Sequence, residues 1–495
     1  MTLNVEDPQA AEQPRGARSA DVSLFIDGTW RAGRAGVLDV VNPVTETPVA
    51  TVALADSADL DEAIAAALRG FEAWRRVPAL ERGAVLIRAA DLLRERVDDV
   101  ARVLTVEQGK TLAESRMELV RAAETLAWNG EEAGRIEGRL IAGRVPGTAR
   151  FVVAHPAGVV AAITAWNFPA ALVARKLGAA LAAGCSVILK AAEEAPGAAA
   201  AVVRCLEEAG VPRGAVNLVF GDPPEVSRHL LEAPAVSKLS FTGSTRVGRV
   251  LARLAGPRQK RCTLELGGHA PVIVCADADI EAAVAASAKV KFACAGQSCI
   301  APSRFYVDAS RYEEFVEHFV AAARAIRVGD GLDPDVDMGP MADARRLDAM
   351  GRLTEDALAR GATLLCGGSR IGDTGWFFEP TVLGEVGDDA LVMTEEPFGP
   401  IAPIASVDGF DDAMRRANAL PYGLAAYVFT QSLHFATRAT SEFEAGNIGI
   451  NQMAPSLPDA PLAGMKDSGY GYEGGSEGVE AFLTFKLVNQ TVLPD

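Results

Sequence analysis

A thiol on a tight turn can be offered to a cleft, and the stretch Lys291-Phe292-Ala293-Cys294-Ala295-Gly296-Gln297-Ser298-Cys299-Ile300 has that form. Helix-like apolar sequence precedes it, a strand-like run follows it, and glycine lets the backbone turn sharply. Cys299 is therefore a candidate nucleophile. A thiolate attacking a carbonyl needs a base and a donor for the developing oxyanion. Glu265 closes an apolar run ahead of Gly267 and Gly268, where a carboxylate could work as a general base. A structural salt bridge is the other use for it at this point. Asn167, in Trp166-Asn167-Phe168-Pro169, sits between a strand and a proline-led helix. Its amide could donate to an oxyanion or simply cap the helix.

Two more stretches could hold a nucleotide-like ligand. Phe241-Thr242-Gly243-Ser244-Thr245-Arg246-Val247-Gly248 follows a strand and opens a helix; amides and the dipole at such a place suit a phosphate. Lys190 ends a strand and Glu193 follows. The two could hydrogen-bond ribose hydroxyls, or form an ion pair.

For these groups to meet, strand ends must converge. Strands are expected at 159–164, 186–190, 216–220, 238–241 and 261–265, with helices at 169–183, 195–209, 224–231 and 246–254 between them. Short apolar strands alternating with helices indicate parallel strands with right-handed crossovers, a doubly wound layer that takes ligands at its carboxyl ends. The rhythm restarts beyond Gly268, with strands at 271–274, 303–307, 363–366 and 380–383, so a second α/β domain begins near Gly267. Earlier, Asp27-Gly28 marks a turn between strands. A helical period starts at Ser57, with Ala65, Leu68, Phe71 and Trp74 expected on a core face. Helices continue to about residue 137, broken at Gly109-Lys110. Residues 480–492, carrying Phe482, Phe485 and Val488, read as an exposed strand of the kind that pairs with a partner edge.

The 495 residues allow two or three domains and a large core. A net charge of −17 disfavours nucleic acid and anionic membranes as partners. No apolar run spans about 20 residues, so no transmembrane helix is expected. Residues 1–21 lack an apolar signal region and read as a mobile arm. The seven cysteines (185, 205, 262, 275, 294, 299 and 366) are scattered and odd in number, as expected of free thiols in a reducing, cytoplasmic compartment. No Cys-x-x-Cys pair or histidine cluster suggests a metal. Cys294 and Cys299 are close enough in sequence for a redox pairing.

Together, in this order, Trp166-Asn167-Phe168-Pro169, Lys190 with Glu193, Phe241 to Thr245, Leu264 to Gly268, Gly296 to Cys299 and Glu395-Glu396-Pro397-Phe398-Gly399-Pro400 resemble the aldehyde dehydrogenase superfamily from about Leu24 onward. The resemblance implies a Rossmann-like NAD-binding domain (22–136 and 157–266), a catalytic domain (267–475) and a small β oligomerisation arm (137–156 and 476–495) in a homodimer or homotetramer. The arm strand and the tail are expected to pair across subunits. Cys299 would attack the aldehyde, with Asn167 and the Cys299 amide binding the oxyanion and Glu265 activating water to hydrolyse the thioester. Trp166, Lys190, Glu193, Gly243, Ser244, Glu396 and Phe398 would hold the cofactor, with NAD favoured over NADP because Glu193 repels a 2′-phosphate.

Trp166 to Lys176, Glu265 to Pro271, Asn451-Gln452 and Lys466 to Gly475 look most like succinate-semialdehyde and 2-oxoglutarate-semialdehyde dehydrogenases. There, residues matching Arg175 and Ser456 bind the substrate's distal carboxylate, a job suited to the arginine fork. A second arginine of those enzymes is Ala293 here, which keeps an aromatic or longer aldehyde open. Ala301 stands where some relatives carry another cysteine. A non-catalytic protein on this scaffold and a cysteine hydrolase are the readings from other classes; the latter needs a histidine beside the thiol.

Overall fold

The computed structural model describes residues 19–453 and 456–491. Most of the expected N-terminal arm, and the last tail residues, lie outside them. The architecture is α/β, with two large mixed sheets and a small β arm.

In the first sheet, five parallel strands run Val216–Val219, Ser186–Lys190, Val159–Ile163, Val236–Thr242, Arg261–Glu265 across the layer. The first three run against chain order and the last two with it. The reversal falls between Val159–Ile163 and Val236–Thr242, the place where a doubly wound sheet opens a ligand crevice. Nearly every residue of these strands is buried, because helices cover both faces. The Leu24–Ile26 and Thr29–Arg31 hairpin adds antiparallel strands at one edge, and Gly469–Tyr470 pairs antiparallel with Arg261–Glu265 at the other.

The second sheet runs Thr363–Cys366, Thr381–Gly384, Ile401–Val407, Pro302–Asp308, Ala270–Val274, Ala425–Phe429, Asn447–Ile450. Three of these lie outside the expected set. Ile401–Val407 contains Pro403, while Ala425–Phe429 and Asn447–Ile450 are short and rich in small residues, which mutes a strand signal.

Two expectations are corrected. The Ser57–Trp74 helix buries Leu60, Ala63, Ala66, Ala67, Gly70 and Trp74, whereas Leu68 is exposed and Phe71 only half-buried. Close approach decides the face: a Cβ on Gly70 would lie 2.1 Å from the Gly214 carbonyl carbon. The tail strand Leu483–Thr491 pairs within its own chain, antiparallel to Thr148–Pro156, which in turn pairs with Arg139–Ala142. The Ala157 amide donates to the Phe482 carbonyl at 2.8 Å, so the chain closes this pairing itself.

Candidate active site

The nucleophile turn begins where the Ile280–Phe292 helix ends. Cys294, Ala295 and Gly296 have φ of 51°, 52° and 71°. Three successive left-handed residues, two of them not glycine, are strained and must be held by their surroundings. The Cys294 amide donates to Glu114 Oε1 at 2.7 Å, and Gln297 Nε2 donates to the Cys294 carbonyl at 2.9 Å. Gln297 Oε1 accepts from the Ala342 amide at 2.9 Å. A Cβ on Gly296 would meet the Gly399 carbonyl oxygen at 2.2 Å, so glycine is required there. Beyond the turn, Tyr427 donates to the Ile300 carbonyl at 2.7 Å and fixes the chain after Cys299. Burial, with Glu396 and Glu265 adding to it and Arg175 opposing, pushes the Cys299 thiol up to about 12. At neutral pH it carries a proton, which a nucleophilic role would require it to lose. Cys294 and Cys299 are both free thiols.

Glu265 is the last residue of its strand and is buried, yet among the described residues neither carboxylate oxygen has a hydrogen-bond partner. The salt-bridge alternative is therefore not what the fold builds. Burial raises its pKa well above the ordinary value; Glu473 adds to the rise, while Lys176 and Arg175 oppose it. The two glycines after it have separate reasons. A Cβ on Gly267 would lie 2.5 Å from Glu396 Oε2, and one on Gly268 would lie 2.4 Å from the Cys299 carbonyl oxygen.

Asn167 is buried and donates through Nδ2 to the Gln297 carbonyl at 3.0 Å, which ties its loop to the nucleophile loop. It caps no helix: the helix begins at Ala171, past Pro169, with Ala170 before it. An amide nitrogen has two donors, so one N–H remains for a ligand.

The switch-point crevice has the features of a cofactor site. The hydroxyls of Thr164 and Thr242, at the carboxyl ends of the two central strands, are buried and unpartnered among the described residues. A Cβ on Gly243 would strike the Phe241 ring at 2.5 Å, so the backbone there stays bare. Ser244 caps the Thr245–Ala255 helix, accepting from the Val247 amide at 3.3 Å. Lys190 Nζ and Glu193 Oε2 form an ion pair at 2.5 Å with little exposure, and Glu193 Oε1 accepts from the Gly221 amide at 3.0 Å. Glu396 Oε1 accepts from the Gly268 amide at 3.1 Å, and burial raises that carboxyl to about 7. Trp166 and Phe398 meet edge to face, with centroids 5.6 Å apart. These residues fit a dinucleotide laid across the crevice.

Of the residues expected to meet substrate, Arg175 donates through Nη2 to Ser456 Oγ, while its Nη1 is buried without a partner among the described residues. Sequence reasoning missed several residues around the centre. Lys176 Nζ donates to Glu473 Oε1 and, at 3.2 Å, to Ser240 Oγ, beside Glu265; Glu473 Oε2 is unpartnered. Their signal was a charge inside an apolar helix and another between glycines.

The sequence pattern of the aldehyde dehydrogenase family matches residues 30–488. The chain belongs to the aldehyde dehydrogenase family. Aldehyde dehydrogenases use a nicotinamide cofactor, in keeping with the crevice just described. This aldehyde dehydrogenase is similar to the 4-(hydroxymethyl)benzenesulfonate dehydrogenase TsaD1 of Comamonas testosteroni, 48% identical over 94% of this chain and 97% of the relative. It is also similar to the NADP-named succinate-semialdehyde dehydrogenase GabD of Escherichia coli, 41% identical over 94% and 98%. Among solved structures, the succinate-semialdehyde dehydrogenase of Burkholderia pseudomallei superposes with a TM-score of 0.94 at 39% identity, covering 98% of this chain and 100% of that one.

Proposed function

We propose that this aldehyde dehydrogenase oxidises an aldehyde bearing a distal acid group, carboxylate or sulfonate, to the carboxylic acid, with NAD as acceptor. Arg175 carries the reading. It is buried, it acts electrostatically on both Cys299 and Glu265, and one face of its fork is unpaired among the described residues. Ser456 holds the other side, so the fork is oriented for an oxyacid. The two relatives are named for molecules with such a group, a benzenesulfonate and succinate semialdehyde. Ala293 leaves one cationic anchor where the resemblance expects two, which favours a longer or aromatic spacer.

Cys299 gives its proton to the Glu265 carboxylate, which sheds it toward Glu473 and Lys176, and attacks the carbonyl carbon, with the free Asn167 N–H and the Cys299 amide facing the oxyanion. A bound nicotinamide supplies the acceptor for the hydride whose loss leaves a thioester on Cys299. Glu265 takes a proton from water, whose oxygen displaces the thiolate and yields the acid. Glu473 and Lys176, beside Glu265, can pass that proton on.

The test is kcat/KM for succinate semialdehyde, 4-carboxybenzaldehyde, benzaldehyde and hexanal. Arg175→Ala is expected to cost the acidic aldehydes on the order of 100-fold and the neutral ones little; equal losses would sink the anchor. For the cofactor, the Glu193 carboxylate supports NAD, and a clear NADP preference at saturating aldehyde would reject it. We also infer a homodimer or homotetramer in a reducing, cytoplasmic setting. Exposed Leu140, Val153, Phe485, Leu487 and Val488 on the arm support the assembly, which light scattering can check.

A further inference from the structure

Behind the cleft, the first two turns of the Leu112–Ala133 helix and the junction before it reach two loops at once. Glu114 and Glu118 are four residues apart, so they stack on one helix face. Glu118 Oε1 accepts from the Ala170 and Ala171 amides at 2.8 and 3.2 Å. Its Oε2 receives Lys110 Nζ at 2.5 Å. Lys110 also donates to the Asn167 carbonyl at 2.7 Å and lies 4.2 Å from the Phe168 ring centre. One turn earlier, Glu114 Oε1 accepts the Cys294 amide at 2.7 Å, while its Oε2 accepts the Thr111 amide at 2.9 Å and hydroxyl at 3.0 Å. Gln108 joins the two halves, donating to Cys294 Sγ at 3.4 Å and accepting from the Lys110 amide at 3.0 Å.

We propose that this segment is a positioning device for catalysis: Lys110 and Glu118 set the Asn167 amide, Glu114 sets the strained turn before Cys299, and one helix thereby fixes the distance between oxyanion donor and nucleophile. The proposal rests on the catalytic reading of Asn167 and Cys299 given above.

Three observations separate it from ordinary core packing. The Lys110 and Glu118 side chains are 0% and 2% exposed, and such a pair contributes little net stability compared with apolar residues of the same volume. The bonds of Lys110 and Glu118 end on the backbone of the Asn167 loop, and that of Glu114 on the nucleophile turn. The junction is also wedged. Gly109 has φ 96°, and a Cβ there would sit 2.8 Å from Pro43 Cγ and 2.9 Å from Pro340 Cγ. Donors work at about 2.7–3.1 Å from the position the oxyanion will occupy, a window only a few tenths of an ångström wide. A support anchored in this way keeps them there.

The experiment is a double-mutant cycle read on two reactions. Lys110→Met/Glu118→Gln removes both charges together and keeps an acceptor for the Ala170 and Ala171 amides. It is expected to lower kcat/KM for the aldehyde roughly 100-fold, as a displacement of about 1 Å does. Asn167→Ala should cost on the order of 100-fold by itself. If the pair acts through Asn167, adding its substitutions to Asn167→Ala costs little more. Alkylation of Cys299 by iodoacetamide, followed by peptide mass spectrometry, develops no oxyanion. It should stay within about twofold in Lys110→Met/Glu118→Gln but fall in Glu114→Ala, whose loss is on the nucleophile side. Losses that multiply in the Asn167→Ala background, or alkylation that falls in step with kcat/KM in the paired variant, overturn the proposal alone. An Asn167→Ala enzyme with unchanged kcat/KM overturns the oxyanion reading and the proposal with it. Should the paired variant not fold, Lys110→Arg keeps both charges and displaces the donors. A loss of about tenfold that vanishes in the Asn167→Ala background supports the proposal, and one that persists overturns it.

Discussion

Across the Asn167 loop the protein changes character. On the cleft side, Glu265, Arg175, Thr164 and Thr242 are buried with oxygen or nitrogen atoms left unpartnered among the described residues. A few ångströms behind, Lys110, Glu114, Glu118, Gln108 and Gln297 are partnered throughout. An unmade hydrogen bond on a buried group costs about 1–3 kcal/mol. The cleft face is therefore stability forgone so that ligand atoms find open valences, and the rear face is geometry held so that those valences point correctly. Aldehyde oxidation requires both properties within one loop's thickness.

The largest break comes from the cleft side. Cys299→Ala is expected to lower formation of reduced nicotinamide cofactor from any aldehyde by roughly 10⁴-fold or more, measured at 340 nm, with unchanged thermal unfolding. Residual turnover near wild type would move the nucleophile elsewhere.

A stability measurement sharpens the contrast. Lys110→Met strands a buried carboxylate and should cost about 3–5 kcal/mol in denaturant unfolding. Glu265→Gln removes an unpaired buried acid, so it should leave stability equal or higher while slowing thioester hydrolysis on the order of 100-fold. The sign with pH follows. The folded carboxyl of Glu265 holds its proton to higher pH than the unfolded one. Its contribution therefore favours the fold at low pH and is lost as pH rises from the ordinary glutamate range through the raised value. Glu265→Gln should flatten that fall; an unchanged pH profile would place the carboxylate in a different environment.

The last test concerns the thiol itself. Because Cys299 is pushed up to about 12, its thiolate fraction in the cofactor-free enzyme grows with pH. Iodoacetamide alkylation should climb toward tenfold per unit from about pH 7 to about pH 9.5 without a plateau. A plateau below about pH 8 would mean that a neighbour already holds the proton.

Much of this was legible in the chain. Gly296 and Cys299 mark a turn and a candidate nucleophile, and Glu265 before two glycines marks a strand end. Thr111 and Glu114 form a capping box, a T-x-x-E signal that the sequence reading passed over. The helix face at Leu68 was misread because a periodic apolar stripe does not reveal which side packs against bare backbone. The in-chain pairing of the tail was misplaced because an exposed strand carries no label for its partner.

Local pattern therefore determined the element rhythm, the candidate thiol, base and amide, and the family, because each depends on neighbours a few residues away. Tertiary structure alone decided which of those groups are paired. Lys110 meets Asn167 across 57 residues, Cys294 meets Glu114 across 180, and Lys176 meets Glu473 across 297. Hydrogen bonds act over about 3 Å of space whatever the distance along the chain. Whether Glu265 faces a partner or an open cleft is therefore settled only when the chain has folded.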